Sequence, residues 1–161
     1  LGDVYKRQAH GSRRLHTHLA ALATFREPPI GFFRGLVVER SGDYADTLDI
    51  KRGGTAAVVQ MARLYAITAG TGEVDTLSRI RSTAGQTVSE KGAGDLFGAY
   101  TYLSNLTMKH QAAQVRAGAA PDYHVDPKQL AERDRSALRD AFSVIKGLQN
   151  ALASKYPTRA V

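Results

Sequence analysis

Leu15, Leu19 and Leu22, with Phe25 one step further, recur at three- and four-residue spacing and predict a helix over residues 9–25. Pro28-Pro29 ends it, because proline donates no backbone hydrogen bond and disfavours helix in the residue before it. Ile30 to Glu39 is dense in Phe, Leu and Val and reads as extended chain. After the turn cluster Arg40-Ser41-Gly42-Asp43, Leu48 and Ile50 alternate with Asp49 and Lys51. That alternation predicts a short hairpin, Leu36–Arg40 against Thr47–Lys51. Gly53-Gly54-Thr55 then leads into a helix reaching about Ala69, in which Gln60 and Arg63 are the only strongly polar side chains from Ala56 onward. A helix apolar almost all round is buried on nearly every side. Arg63 is therefore expected to pair with Asp46 or Asp49, since an unpaired buried guanidinium is costly.

Asp75 is a plausible N-cap for a short helix to about Ser82. Thr87-x-x-Glu90 has the spacing of a capping box and opens a long helix to about Ala117. Its core stripe is Leu96, Tyr100, Leu103, Leu106 and His110. Asp126-Pro127 caps a brief turn, and Leu138, Phe142, Ile145, Leu148 and Leu152 carry a last helix over about 131–154. The pattern predicts a mostly α protein, an antiparallel helical bundle with a short β-hairpin near residues 36–51.

Composition narrows the function. The 161 residues contain no cysteine, which removes disulfides, thiol nucleophiles and thiolate metal sites. No apolar run approaches the roughly 20 residues of a membrane-spanning helix. The net charge of +7 divides as +4, −1, +2 and +2 over residues 1–40, 41–80, 81–120 and 121–161. That spread lacks the basic block of a nucleic-acid tail, so nucleic acid is not the expected partner, although a basic surface favours small anions. The first eight residues, Leu1 to Gln8, fit nothing downstream and look like adapter sequence, so the domain is expected over residues 9–157.

Candidate chemistry is sparse. Gly11-Ser12 resembles a phosphate-gripping pair, but nucleotidyl transfer also needs two neighbouring carboxylates for Mg²⁺, and the chain has no Asp-x-Asp. His10, His16 and His18 lack the four-residue spacing of helical metal ligands and are expected on the surface. Lys51-Arg52-Gly53-Gly54 precedes a helix, where free N–H groups and two cations suit an anion. A tight turn explains the glycines equally well. His110-Gln111 closes an apolar stripe, either as a satisfied core pair or as polar residues lining a pocket.

Six segments in order carry a resemblance: Pro28-Pro29-Ile30-Gly31-Phe32-Phe33, Asp46-Thr47-Leu48-Asp49-Ile50-Lys51-Arg52-Gly53, Ala62-Arg63-Leu64-Tyr65-Ala66, Thr76-Leu77-x-Arg79-Ile80, His110-Gln111 and Ala141-Phe142-x-x-Ile145-x-x-Leu148-Gln149. Together they are similar to the putative nucleotidyltransferase substrate-binding domain, over about residues 10–155. The family resemblance implies a C-terminal module of cytoplasmic bacterial signalling proteins that carry CBS pairs and often a cyclic-nucleotide-binding domain. It also implies an upstream nucleotidyltransferase domain, similar to those of protein-PII uridylyltransferase and glutamine-synthetase adenylyltransferase. That domain would hold Mg²⁺ and the NTP, and this chain alone would be catalytically silent. The matching polar positions are Asp46, Asp49, Lys51, Arg63, Tyr65, Arg79, His110 and Gln111; with Arg52, Gly53 and Gly54 they are the candidate substrate-binding residues. The pocket is expected where the 46–54 segment meets the long helix near His110. The rival expectations are a free-standing RNA- or nucleotide-interacting bundle and a dimerisation bundle.

Overall fold

The computed structural model describes residues 11–157. The adapter-like residues 1–8 and His10 lie outside the described residues. Helix α1 spans Arg13–Thr24, and Ser12 caps it by accepting the Leu15 N–H. Its buried face is His16, Ala20 and Ala23, while Leu22 and Phe25 are exposed. The expected stripe is thus displaced, and small residues let the neighbouring helices approach. His16 is inside rather than on the surface.

The chain then crosses to β1, Leu48–Asp49. Its antiparallel partner is β2, His124–Val125, with Leu48 opposite Val125 and Asp49 opposite His124. This corrects the expected pairing with Leu36–Arg40. That segment meets β1's flank only through hydrogen bonds from the Glu39 N–H to Thr47 O and from the Asp46 N–H to Glu39 O. The reason is burial. Leu48 and Ile50 are sealed in the core and need a buried neighbour, which Val125 supplies and the half-exposed Val37 cannot.

Residues Lys51–Thr55 form a π-helical turn that runs directly into α2, Ala56–Ala69. Helix α2 is buried along Ala57, Val58, Met61, Ala62, Leu64, Tyr65 and Ala66, as its nearly unbroken apolar run predicts. Gly70, in the left-handed conformation at φ 71°, ends it. Helix α3 spans Thr76–Thr83, with Asp75 as the predicted N-cap accepting from the Ser78 N–H. Helix α4 spans Glu90–Arg116. Its cap is Ser89, which accepts from the Gly92 N–H, and not Thr87, whose hydroxyl donates instead to the Tyr65 carbonyl. A single 3₁₀ turn, Pro127–Gln129, capped by Asp126, precedes α5, Glu132–Lys155.

Helices α4 and α5 pack along each other, with Gly92 beside Leu148 at one end and the Tyr102 hydroxyl on the Asp134 carbonyl at the other. The two therefore run antiparallel. Leu96, Leu103, Leu106, Leu138, Phe142 and Ile145 fill the space between them and α2. Gln149, buried on α5, donates to the carbonyls of Ala23 and Arg26 and so fixes the end of α1. The result is the predicted mostly helical bundle with one small antiparallel strand pair. Among the described residues, no helix is long and apolar enough to cross a membrane.

Candidate functional site

Two segments, 48–55 and 119–126, meet beside the C-terminal half of α4, where polar contacts add to the buried Leu48–Val125 strand pair. Asp122 is the knot. Its Oδ1 accepts from His110 Nε2 at 3.0 Å and from the His124 N–H at 2.8 Å. Its own N–H donates to Gln114 Oε1, and its carbonyl accepts from Gln111 Nε2. One turn of α4 thus clips the loop with three side chains. Partial burial pushes the Asp122 carboxyl up, but hydrogen bonds from His110, the His124 N–H and Gln114 outweigh this and hold it below its ordinary value.

The clip delivers Tyr123 to the π-helical turn. Lys51 Nζ lies 4.3 Å from the Tyr123 ring centroid, and the Tyr123 carbonyl accepts from the Ile50 N–H. Hydrogen bonds from Lys51 and Gln111, with the Lys51 charge, hold the phenol below its ordinary value of 10. One residue on, the His124 ring stacks on Tyr44 with centroids 3.5 Å apart and planes 12° from parallel. His124 Nδ1 is buried and has no hydrogen-bond partner.

Two clefts flank this junction. The larger, about 410 Å³, lies between α4, β2 and the start of α5. Leu106, Val125 and Leu130 give it apolar walls, and Lys109, His124 and Asp134 supply polar groups. Neither the Lys109 ammonium nor the Asp134 carboxylate has an ion-pair partner among the described residues. The smaller cleft, about 270 Å³, is lined by Phe25, Arg26, Val37, Glu39, Asp49 and Arg52, with the backbone at Gly53. Such a mixture of apolar wall and convergent polar groups is the usual make-up of a small-molecule site. Among the described residues, no group of three or more His, Asp or Glu side chains is placed to hold a metal ion.

The candidate residues distribute unevenly over this geometry. His110 lines the larger cleft; Asp49, Arg52 and Gly53 line the smaller one. Lys51 and Gln111 meet at Tyr123 between them. Asp46 is drawn off to Lys128, 3.2 Å away, at a non-glycine φ of 63°. Arg63 is exposed, and among the described residues its side chain reaches only Gln60 Oε1, at 3.4 Å. The expected Arg63 pairing with Asp46 or Asp49 is therefore wrong: α2's polar stripe opens to water instead of facing the preceding segment. Tyr65 is buried on α2, and burial, then the neighbouring Tyr156, pushes its phenol up to about 12. Arg79 Nε donates to the Glu73 carbonyl and braces the turn before α3.

The glycine pair also has a structural occupation. A β-carbon on Gly53 would lie 2.5 Å from the Glu27 carbonyl oxygen and 2.7 Å from Pro28 Cα. One on Gly54 would touch Leu103 and Phe142 at 3.2 and 3.4 Å. The N–H groups of Lys51 and Arg52, expected to be free for an anion, are taken by Asp49 Oδ1 at 2.8 and 2.9 Å. The protein's own carboxylate is the anion at this helix start. Sequence reasoning missed Asp122, Tyr123, His124 and Asp134. The run Pro121-Asp122-Tyr123-His124-Val125-Asp126, between two helices, was the available signal.

A family model described as putative nucleotidyltransferase substrate binding domain matches residues 13–156. No curated protein and no solved structure matches the chain.

Proposed function

We propose, from the premise that the chain belongs to the putative nucleotidyltransferase substrate-binding domain family, that it is the part of such an enzyme that grips and orients the acceptor. The acceptor site is the cleft of about 410 Å³ between α4, β2 and α5. One observation carries this reading: in that cleft Lys109, Asp134 and the buried His124 Nδ1 all lack partners above an apolar wall. For the buried His124 Nδ1 that is costly unless something polar meets it, while the exposed Lys109 and the half-buried Asp134 keep their charges hydrated and free to engage a ligand. The chain's contribution to rate is positional, since fixing an acceptor against an activated nucleotide removes much of the entropic barrier. The Mg²⁺, the NTP and the carboxylates that hold them belong, in this proposal, to a nucleotidyltransferase domain of the same polypeptide. The resemblance supports a cytoplasmic bacterial signalling setting in which CBS domains share that polypeptide.

The test is chemical-shift mapping of the ¹⁵N-labelled chain against a low-molecular-weight metabolite fraction. Shifts centred on Lys109, His124 and Asp134, abolished in a Lys109→Ala/Asp134→Ala variant, support the site. Shifts confined to other surfaces, or none at all, overturn it.

A further inference from the structure

Five titratable side chains line the larger cleft, and the protein already engages two of them. Asp126 Oδ1 accepts the Lys128 N–H at 2.8 Å, and its Oδ2 accepts from Gln129 Nε2 at 3.2 Å. His110 Nε2 is held on Asp122. Thr47, the hydroxyl of the cleft, donates to the Tyr44 carbonyl. Two opposite charges and one ring nitrogen are left: the Lys109 ammonium, the Asp134 carboxylate and His124 Nδ1 have no hydrogen-bond or ion-pair partner among the described residues. The cations next to them in the chain do not change this. Lys128 is held by Asp46 and Arg135 by Glu132, while Arg133 directly precedes Asp134, a helical spacing at which side chains do not face each other.

The two charges stand apart along α4. The Tyr102 hydroxyl donates to the Asp134 carbonyl at 2.6 Å. Burial, then the Asp134 charge, holds that phenol up at about 12, so the carboxylate lies near the Tyr102 level of the helix. Tyr102, Leu106 and Lys109 follow at four- and three-residue spacing on one face of α4. Lys109 is thus two turns, about 10 Å of helix rise, beyond Tyr102. Its side chain can lean back over part of that distance, but buried Leu106 lies between, with Val125 and Leu130 completing an apolar floor. Direct pairing would lay the ammonium across this floor, and no such ion pair is formed.

We infer that the occupant of the cleft is an extended zwitterion of low molecular weight. Its carboxylate meets Lys109, its ammonium meets Asp134, and an apolar stretch between them covers Leu106. His124 Nδ1 then gains from the ligand the partner that the protein does not give it. This rests on the acceptor-orienting reading above and gives that acceptor a chemical class. A simple anion would leave the Asp134 carboxylate unmatched in the filled cleft, and a simple amine would leave Lys109 so. Opposite charges at the two ends also fix which way round the ligand lies, and that is what orienting an acceptor requires. A volume of about 410 Å³ is in the range of small-molecule sites.

The probe is 6-aminohexanoate, with hexanoate and hexylamine as its single-charge counterparts and glycine as a zwitterion too short to span the floor. Each is titrated into the ¹⁵N-labelled chain. The expected result is that 6-aminohexanoate shifts the amides around Lys109, His124 and Asp134 and binds about tenfold more tightly than any of the other three, less so at high salt. Lys109→Met should bring its affinity down to that of hexylamine, and Asp134→Asn to that of hexanoate. Circular dichroism checks that both variants are folded. If hexanoate or hexylamine binds the cleft as well as 6-aminohexanoate does, or if neither variant weakens 6-aminohexanoate, the zwitterion is overturned and the acceptor reading stands. The same holds if all four probes are silent while the metabolite fraction still shifts the cleft. If neither the probes nor that fraction shifts it, both readings fail.

Discussion

Gly53→Ala is a demanding test of how the π-helical turn is packed. The added methyl would sit 2.5 Å from the Glu27 carbonyl oxygen and 2.7 Å from Pro28 Cα, well inside any real contact. Both neighbours are backbone, and that backbone is held. Gln149 grips the Arg26 carbonyl from the core, Glu27 pairs with Lys146, and Pro28 is itself buried. Relief therefore requires moving the link between α1 and the rest of the bundle. Overpacking costs typically about 1–3 kcal/mol, and the upper part applies where no side chain can rotate away. Replacing glycine within a helix returns about 0.5–1 kcal/mol. The net expectation is a loss of about 2 kcal/mol, or about 4–8 °C in melting temperature for a chain of this size. Gly54→Ala is the internal control. Its methyl would meet the side chains of Leu103 and Phe142 at 3.2 and 3.4 Å, which can shift, so it should cost less. Thermal unfolding followed by circular dichroism measures both. If Gly53→Ala melts no lower than Gly54→Ala, the close approach to Glu27–Pro28 does not explain this glycine, and an anion-binding role regains its place.

Gln149→Leu should lose about 1–3 kcal/mol in urea unfolding, because the carbonyls of Ala23 and Arg26 are left without their donor in the interior; a loss below about 0.5 kcal/mol would refute that role. At high pH, Tyr65 and Tyr102 hold their protons to about 12, against an ordinary 10, chiefly through burial. The folded state thus binds more protons than the unfolded one between these values, so melting temperature should fall as pH rises from 10 toward 12, and Tyr65→Phe should flatten that fall. At low pH the sign reverses for Asp122, whose folded carboxyl lies below the ordinary 3.8. Its stabilisation is present above that value and is lost as pH falls through the folded one, so Asp122→Asn should remove part of the acid sensitivity. An unchanged acid profile in that variant would show that the loop is held without the carboxylate.

The helices were legible because each rests on local signals: the apolar run of α2, the Asp75 cap, and the Leu138–Phe142–Ile145–Leu152 stripe of α5. The face of α1 was not, because leucine spacing pointed to Leu22 while close packing selected the smaller Ala20 and Ala23. The strand partner of Leu48 lies at Val125, and no alternation within residues 36–51 can announce a pairing formed through tertiary contact. For the candidate site, the sequence marked Asp49, Lys51, Arg52, His110 and Gln111 as polar residues in unusual places, and all five lie around the 48–55 and 119–126 junction. It assigned them no partners, since Asp122 and Tyr123 come from a loop with no period of its own.

That loop explains why His110 and Gln111 end an apolar stripe. Helix α4 leaves the core after Leu106, and the backbone of residues 122–124 then needs hydrogen-bond partners that apolar side chains cannot give. Gln111 and Gln114 supply them to the Asp122 backbone directly, and His110 holds the Asp122 carboxylate that accepts the His124 N–H. Once clipped, the loop pairs β2 with β1, lays Tyr123 against Lys51, and makes His124 and Val125 a wall of the larger cleft. The opposite wall, at Leu106, belongs to the packed interface between α4 and α5. One side of the cleft is thus fixed by core packing, while the other is anchored at Val125 alone and otherwise held by a few partly exposed hydrogen bonds. Local opening follows the weaker side. Under the proposed acceptor reading, a ligand that engages both His124 and Lys109 would tie the loop to α4 more firmly, so it should slow hydrogen exchange at the amides of residues 122–126.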